Sequence, residues 1–491
     1  MTLDLTLDRE GDAALYRQIA EQIKDRISDG RLPAGTRLPT VRQLATDVGV
    51  TRLTIQNAYG ELQSGGWVEA TVGRGTYVSN TARPASIVAA IGQDVTPDAV
   101  IGDIVQLTDI VGVRTLASAS PDVALFPAHE FGQSLNAHCQ DPAAANYASS
   151  QGSAPLRVQL SAWLHERGVV ADPDDILVTS GVAQGLALTA QALARPGDVV
   201  AVEEPTYLGF LHTLKAQGLQ PVGVPLDADG PDLDALERVV IQQRPRFFYT
   251  IPSFQNPTGV SMSETRRRQL LELSARHGLM LVEDDIYARL AYDGPPPPTL
   301  KSLDRNGLVT HLGSVSKLFT PGLRLGYVVA PPPLNRRLLS LRRANDLCSP
   351  PLLQLALADF LERGMMRRHL RRVLPIYRER RDTMLAALQR FMPAGVRWTE
   401  PHGGFCTWLT LPADHAFDDL QQAALRAGWA FAPGEAFLSR PTRHKHLRLS
   451  FGSQTPANIR HGVEVLAALI TARMQEHAPS AYDVRDWTPL V

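Results

Sequence analysis

Lys317 is the residue in this chain best placed for covalent chemistry. It lies in Gly313-Ser-Val-Ser-Lys-Leu-Phe-Thr-Pro-Gly-Leu-Arg-Leu-Gly326, between two short apolar runs at 308–312 and 327–330. Apolar runs of that length without helical periodicity read as buried strands. The lysine therefore sits on a small-residue loop between core strands, with no acidic partner supplied locally. The chain has five lysines, Lys24, Lys215, Lys301, Lys317 and Lys445, and only Lys317 has this setting. A lysine amine so placed can form a Schiff base with a carbonyl cofactor, of which pyridoxal phosphate is the usual one. Ser314, Ser316 and Arg324 supply two hydroxyls and a fork-shaped cation, the chemistry that holds a phosphate. The alternative is a lysine with no chemical role.

The elements around this loop follow one pattern. Ile176-Leu-Val-Thr179, Val199-Val-Ala-Val202, Phe247-Phe-Tyr-Thr-Ile251, Leu279-Met-Leu-Val282, Leu308-Val-Thr-His-Leu312 and Tyr327-Val-Val-Ala330 are candidate strands, most of them separated by helical stretches. Such alternation predicts an α/β domain with a mainly parallel sheet covered by helices. Sheets of that kind bind ligands beyond the carboxyl ends of their strands. The polar groups fall there: Gly181, then Glu204-Pro-Thr-Tyr207, then Asn256-Pro-Thr-Gly259, then Asp284, then Lys317.

Ser-Val-Ser-Lys followed by Pro-Gly-Leu-Arg-Leu-Gly resembles the cofactor-lysine motif of fold-type I aminotransferases, and the other pieces arrive in that family's order. The resemblance covers about residues 100–472. It implies pyridoxal 5'-phosphate as cofactor. Thr179-Ser-Gly-Val-Ala-Gln-Gly185 is similar to the turn into a phosphate-binding helix, with Gly181 at its start. Val182 and Ala183 stand where the family often has Ser-Gln or Ala-Gln, which leaves backbone N–H groups to serve there. The resemblance gives Tyr207 a stacking role on the ring. Asn256 and Tyr287 would meet the ring hydroxyl oxygen, and Asp284 the pyridinium nitrogen. Tyr147, in Asn146-Tyr-Ala-Ser-Ser-Gln-Gly152, would reach the phosphate of a neighbouring subunit, so a homodimer is implied. Arg448, in His446-Leu-Arg-Leu-Ser-Phe451, would bind a substrate or effector carboxylate. Each piece has a plainer reading on its own: Asn-Pro-Thr-Gly is an ordinary turn, Asp284 a helix cap, Tyr207 core packing, Arg448 half of an ion pair.

The first 78 residues read differently. Leu15, Ile19, Ile23 and Ile27 repeat every fourth residue, one face of an amphipathic helix. Two shorter helical patterns follow, near 40–48 and 51–65, joined by Gly49-Val50, with Thr51 as N-cap. Residues 67–70 and 76–78 flank Gly73-Arg-Gly75 as a hairpin. Helix, helix-turn-helix and hairpin make a winged helix-turn-helix. Arg37-Leu-Pro-Thr-Val-Arg-Gln-Leu-Ala45, Gly49-Val-Thr-Arg-Leu-Thr-Ile55 and Gly73-Arg-Gly-Thr-Tyr-Val78 resemble the DNA-binding domain of the GntR superfamily, and Ala58-Tyr-Gly-Glu-Leu62 leans toward its MocR subgroup. Arg42, Thr51, Arg52, Thr54 and Gln56 then fall on the DNA-facing helices, and Arg74 on the wing tip. Gln56 stands where many GntR domains carry arginine, so base preference does not carry over there. The stretch 31–56 has four arginines against Asp47, whereas residues 1–79 as a whole carry nine bases and ten acids. The alternative use of this unit is dimer contact alone.

The totals set bounds. At 491 residues the chain has room for two to four domains, and its formal net charge is −1. That excludes a strong global field for nucleic acid or membrane. Cys139, Cys348 and Cys406 are too scattered for a disulfide framework or a metal site. No apolar run is long enough to span a bilayer, and the expected location is cytoplasmic. The expected layout is a winged helix-turn-helix at 1–78, a linker at 79–98, the aminotransferase-like domain at 99–475 and a tail at 476–491. Val100, Ile104, Leu107 and Val111 suggest a helix leading into the large domain. A GntR-type domain on an aminotransferase-like domain is the layout of MocR/GabR-type transcriptional regulators. The resemblance implies a pyridoxal-phosphate-dependent regulator that binds double-stranded promoter DNA and senses an amine or amino acid through an external aldimine. An active aminotransferase carrying a DNA-binding appendage is the alternative, and a pure interaction protein a third.

Overall fold

The computed structural model describes residues 3, 5–8, 14–28, 31–33, 35–64, 67–71, 75–79, 113–440, 442 and 444–476. It divides into two compact units, Met1–Pro97 and Asp98–Val491. Arg74, most of the expected linker, the suggested helix near 100–111 and residues 477–491 lie outside the described residues.

In the first unit, helices α1 (Leu15–Ser28), α2 (Val41–Val48) and α3 (Arg52–Ser64) precede a two-stranded wing, β1 (Val68–Thr71) and β2 (Gly75–Val78). Ile19 and Ile23 of α1 meet Leu44, Ile55, Ala58 and Leu62 in one buried cluster, so the four-residue repeat in the sequence becomes the core face. Thr40 caps α2, its Oγ1 accepting from Gln43 N at 3.2 Å, and Gly49 ends it in the left-handed region at φ 68°. Thr51 Oγ1 accepts from Thr54 N at 3.2 Å at the start of α3. The sequence pattern missed one pairing: Leu38 N donates to Thr76 O and Val78 N to Thr36 O, so the segment before α2 runs beside β2 and braces the wing.

The first described strand of the second unit is β3 (Arg114–Thr115), and the unit is built on an eight-stranded sheet. Its strands are β4 (Ile176–Thr179), β5 (Val199–Glu204), β6 (Gln220–Asp227), β7 (Gly230–Pro231), β8 (Phe247–Thr250), β9 (Met280–Asp284), β10 (Val309–Ser314) and β11 (Gly326–Val329). The order is β4-β11-β10-β9-β8-β5-β6-β7, with only β11 and β7 antiparallel to their neighbours. Strands β4, β8 and β10 are buried at every position, which is why they appear as unbroken apolar runs rather than alternating ones. Strands β6 and β7 were not expected: β6 is only partly buried and carries Pro221 and Pro225, so its apolar signal is weak.

A second, four-stranded sheet contains β12 (Arg397–Trp398), β13 (Cys406–Thr410), β15 (Ala432–Pro433) and β16 (His446–Ser450), while β14 (Trp429–Ala430) pairs with β3. A long helix, Met365–Phe391, packs beside the C-terminal helix Pro456–Glu476.

The antiparallel entry of β11 has a consequence for the site. It pairs Gly326 with Thr179, the last residue of β4. The chain just before β11 is thereby laid against the turn at Gly181. A Cβ on Gly326 would stand 2.7 Å from the Gly181 carbonyl carbon and the Val182 nitrogen. We expect Gly326→Ala to destabilise the protein by about 1–3 kcal/mol, the usual cost of overpacking a fixed backbone. A urea unfolding midpoint equal to the parent's would show that the turn yields freely.

Candidate functional site

The carboxyl ends of β4, β5, β8, β9 and β10 lie on one edge of the large sheet, and the loops leaving them converge. Parallel pairing sets Leu312 of β10 opposite Asp284 of β9. Asp284 is fully buried. Its Oδ2 accepts from Tyr249 Oη at 2.9 Å, and its Oδ1 has no hydrogen-bond partner among the described residues. Burial pushes its pKa up to about 7.

Lys317 follows the end of β10. Its Nζ donates to Ala119 O at 2.8 Å. Burial first, and then the positive charge of Arg448, lower its pKa to about 8. Asn256 joins two neighbours: its Nδ2 donates to Tyr287 Oη at 3.3 Å, and its Oδ1 accepts from Arg448 Nη1 at 3.0 Å. Arg448 sits in β16 between Trp408 and Ala432 of the flanking strands and is 3 % exposed. Its Nη2 donates to Ala117 O, its guanidinium lies 4.6 Å from the centroid of the Phe437 ring, and its Nε has no partner among the described residues. Tyr207 is half-buried; burial first, then the charge of Asp284, push its pKa up.

A second cradle forms where β11 meets β4. Gly181, at φ 80°, precedes the helix Val182–Leu193. That positive φ favours glycine, and the missing side chain leaves room for Arg324, whose Nη2 would stand 2.8 Å from a Cβ. Arg324 itself donates to Ser180 O at 3.3 Å. Ser314 and Ser316 are buried in the turn, with Ser314 Oγ 2.8 Å from Leu325 O and 3.0 Å from Ser316 Oγ. Tyr147 is not brought to this cleft by its own chain: it is 81 % exposed.

Sequence reading missed four contributors. Tyr249, inside an apolar strand, gave no signal of the hydrogen bond it makes to Asp284. Cys406, buried at the start of β13, lies 3.9 Å from Asn256 Oδ1. The other two form a brace. Glu203 is fully buried and accepts from Thr250 Oγ1, from Ile251 N and, at 3.0 Å, from Gln255 Nε2. Gln255 Nε2 also donates to Pro205 O, while its Oε1 accepts from Thr258 N and Thr258 Oγ1. One amide thus ties the loop of Tyr207 to the loop of Asn256. Only the register of β5 against β8 reveals this.

These groups fit pyridoxal phosphate. A buried carboxylate oxygen without a donor suits a ring N–H, a depressed lysine suits a carbonyl carbon, and a helix N-terminus with Arg324 across a glycine suits a dianion. Among the described residues no group of His, Cys, Asp or Glu is placed to hold a metal ion, and no helix is long and apolar enough to cross a membrane.

In the first unit, Arg42, Thr51, Arg52 and Gln56 are exposed and Thr54 is half-buried, with Thr51 Oγ1 2.9 Å from Thr54 Oγ1. They lie on α2, on α3 and on the turn between them, the two helices of the helix-turn-helix.

The raised carboxyl groups make stability depend on pH. Glu203 and Asp284 titrate at about 7 when folded and near 4 when unfolded. The folded chain therefore holds more protons between these values. Stability falls as pH rises from about 4 to about 7, and the loss is complete above 7. In cofactor-free protein, Glu203→Gln should remove its share, on the order of 1–3 kcal/mol. The melting temperature of the variant relative to the parent then climbs between pH 5 and 8. A flat difference over that range would show that Glu203 does not titrate there.

Comparison with known proteins agrees with this geometry. Residues 119–466 match the family described as aminotransferase class I and II, and residues 15–78 that described as bacterial regulatory proteins, gntR family. Aromatic-amino-acid aminotransferase 1 of Thermococcus litoralis is 35 % identical over 384 residues, 77 % of this chain and 92 % of that one. The probable rhizopine catabolism regulatory protein MocR of Rhizobium meliloti is 30 % identical over 482 residues, 95 % of this chain and 96 % of its own length. The crystal structure of LysN, the alpha-aminoadipate aminotransferase of Thermus thermophilus, complexed with N-(5'-phosphopyridoxyl)-L-leucine, superposes with a TM-score of 0.72 at 34 % identity, covering 76 % of this chain and 95 % of that one. With residues that suit pyridoxal phosphate gathered in one unit and a winged helix-turn-helix in the other, the chain belongs to the class I and II aminotransferase family and, through its gntR-family domain, to the pyridoxal-phosphate-dependent transcriptional regulators of the MocR type.

Proposed function

We propose that the protein senses an amino compound bearing a carboxylate, and that binding at the Lys317 cleft sets how the winged helix engages promoter DNA. The observation that carries this reading is Arg448. It is buried in a strand, its charge reaches Lys317, and no carboxylate among the described residues pairs with it. A buried cation without a counter-charge is costly, and an anionic ligand removes that cost. Its fork suits a carboxylate held by two hydrogen bonds.

When bound, pyridoxal phosphate supplies an electrophilic carbonyl carbon and an electron-drawing ring. The chain's own residues do the rest in this reading. Asp284 Oδ1 holds a proton at the ring nitrogen. Asn256 and Tyr287 orient the ring hydroxyl oxygen, and Tyr207 covers a ring face. The N–H groups after Gly181, together with Ser316 and Arg324, hold the phosphate, and Ser314 fixes Ser316. Lowering of the Lys317 pKa to about 8 raises the share of neutral amine near physiological pH, the form that attack on a carbonyl requires. Tyr147, exposed on its own chain, serves the phosphate of the second copy in a homodimer. Arg42, Thr51, Arg52, Thr54, Gln56 and Arg74 face DNA, which places the protein's work in the cytoplasm. The units correspond to residues 1–78 and 99–475, joined by 79–98, with a tail at 476–491.

A working aminotransferase is the second reading, favoured by the depressed Lys317 amine, which suits a residue that moves protons. Steady consumption of an amino donor with a keto acid acceptor distinguishes it from a regulator that binds without turnover.

Two experiments test the site. Cofactor capture by the apoprotein should accelerate as pH rises through about 8, where Lys317 loses its proton. Arg448→Ala removes a nearby positive charge, so its capture profile should shift to higher pH. Lys317→Ala should abolish capture and borohydride trapping, and a trapped adduct in that variant sinks the assignment. Arg448→Ala should also bind cofactor yet lose the spectral response to amino acids. Arg448→Lys should do nearly as badly, because lysine lacks the fork. A response to amino acids of unchanged affinity in Arg448→Ala means that the ligand's carboxylate is held elsewhere.

A further inference from the structure

One face of α3 carries two residues that the fold of its own unit does not explain. The opposite face is committed: Ile55, Ala58, Tyr59 and Leu62 are buried in the unit's core, and Tyr59 Oη donates to Pro39 O at 2.8 Å. That fixes Leu53, Gln56, Asn57 and Gly60 outward, at the i, i+3, i+4, i+7 spacing of a single stripe, and all four are exposed. Leu53 is 64 % exposed. No other large apolar side chain is as exposed among the described residues of this unit. Gly60 sits inside the helix, where glycine is about 1 kcal/mol less favourable than alanine. Its backbone is not in the left-handed region, and a Cβ there would meet nothing within 4 Å. Neither backbone strain nor internal packing asks for a glycine.

A bare leucine and an unfilled glycine about 10 Å apart along one helix face suit a surface that must receive something closely. The surroundings name what it is. Arg52 and the Thr51 and Thr54 hydroxyls mark the start of the helix, Arg42 lies on α2, and the stretch 31–56 is net positive. Between Leu53 and Gly60 stand the amides of Gln56 and Asn57. In the major groove an aliphatic side chain can recognise the thymine C5-methyl group, and Asn or Gln pairs with adenine N6 and N7. The stripe therefore matches A·T pairs.

We propose that Leu53 reads the C5-methyl group of a thymine in the major groove, and that Gly60 lets the duplex approach α3 closely enough for that contact. This rests on the DNA-binding reading of the first unit and adds the base feature that it recognises.

The test uses full-length protein and a duplex selected by it from a randomised library. Each thymine of that duplex is replaced in turn by deoxyuridine, which removes only the methyl group. Affinity is read by fluorescence anisotropy. We expect one thymine position at which replacement weakens binding about fourfold, the value of one buried methyl group. In Leu53→Ala the same replacement should have no effect, while the unmodified duplex binds about as weakly as the deoxyuridine duplex binds the parent. Gly60→Ala should melt at a higher temperature and yet bind DNA more weakly, a combination that a folding defect does not produce. The proposal is overturned if no thymine responds, if Leu53→Ala keeps the full methyl dependence, or if Gly60→Ala binds as tightly as the parent. Failure to select any duplex would instead remove the DNA-binding reading on which the proposal stands.

Discussion

Charge held away from water is the constraint on which the cleft depends. Lys317, Arg448 and Asp284 share an interior where each unit of charge costs more than it would at the surface. Burial moves Asp284 toward neutrality and loosens the proton on Lys317, and Arg448 adds to the second effect. In the proposed reading a protonated ring nitrogen would answer Asp284, a carbonyl carbon would suit the Lys317 amine and a carboxylate would answer Arg448. The buried charges of the chain are those that a cofactor and an amino acid would satisfy together. Ligand binding and stability are therefore linked in this unit.

The sheet supplies the geometry for that arrangement. Parallel strands bring their carboxyl ends to one edge, so Glu204, Thr250, Asp284 and Ser314 end their strands on the same side. The antiparallel strand β11 is the exception that completes the cradle, since its pairing with β4 lays Arg324 across Gly181. The buried Glu203 and Gln255 then tie two site loops into one body. The second sheet contributes Arg448 from the other side through its contact with Asn256.

The winged-helix unit obeys a different economy. Its small core is closed by apolar residues from three helices and two strands, and Arg42, Arg52 and Gln56 are left on the outside. Near-neutral total charge leaves it little non-specific attraction for DNA. In the proposed reading, discrimination falls on a few side chains at the start of α3, where hydroxyl, guanidinium, amide and aliphatic groups stand side by side.

Much of this was legible in the chain. The repeat of Leu15, Ile19, Ile23 and Ile27 became α1, because helical periodicity is local and survives without tertiary information. The unbroken apolar runs became the buried strands, since strands covered on both faces need no alternation. Lys317 stood out for the same local reason, a charged residue on a small-residue loop between two such runs. Other features depended on contacts between distant segments. Strand β6 was hidden because it is half exposed and interrupted by prolines. Tyr249 and Gln255 look like core and turn residues until β8 is set beside β5 and β9. Leu53 gives no signal of its own in the sequence; the packing of Ile55 and Tyr59 is what turns it outward. Sequence determines which residues favour a helix, a strand or a loop, because those preferences act over a few neighbours. Only the tertiary structure decides which loops meet, which carboxylate keeps a free oxygen and which side of a helix faces water, because those follow from pairing register and burial across the whole unit.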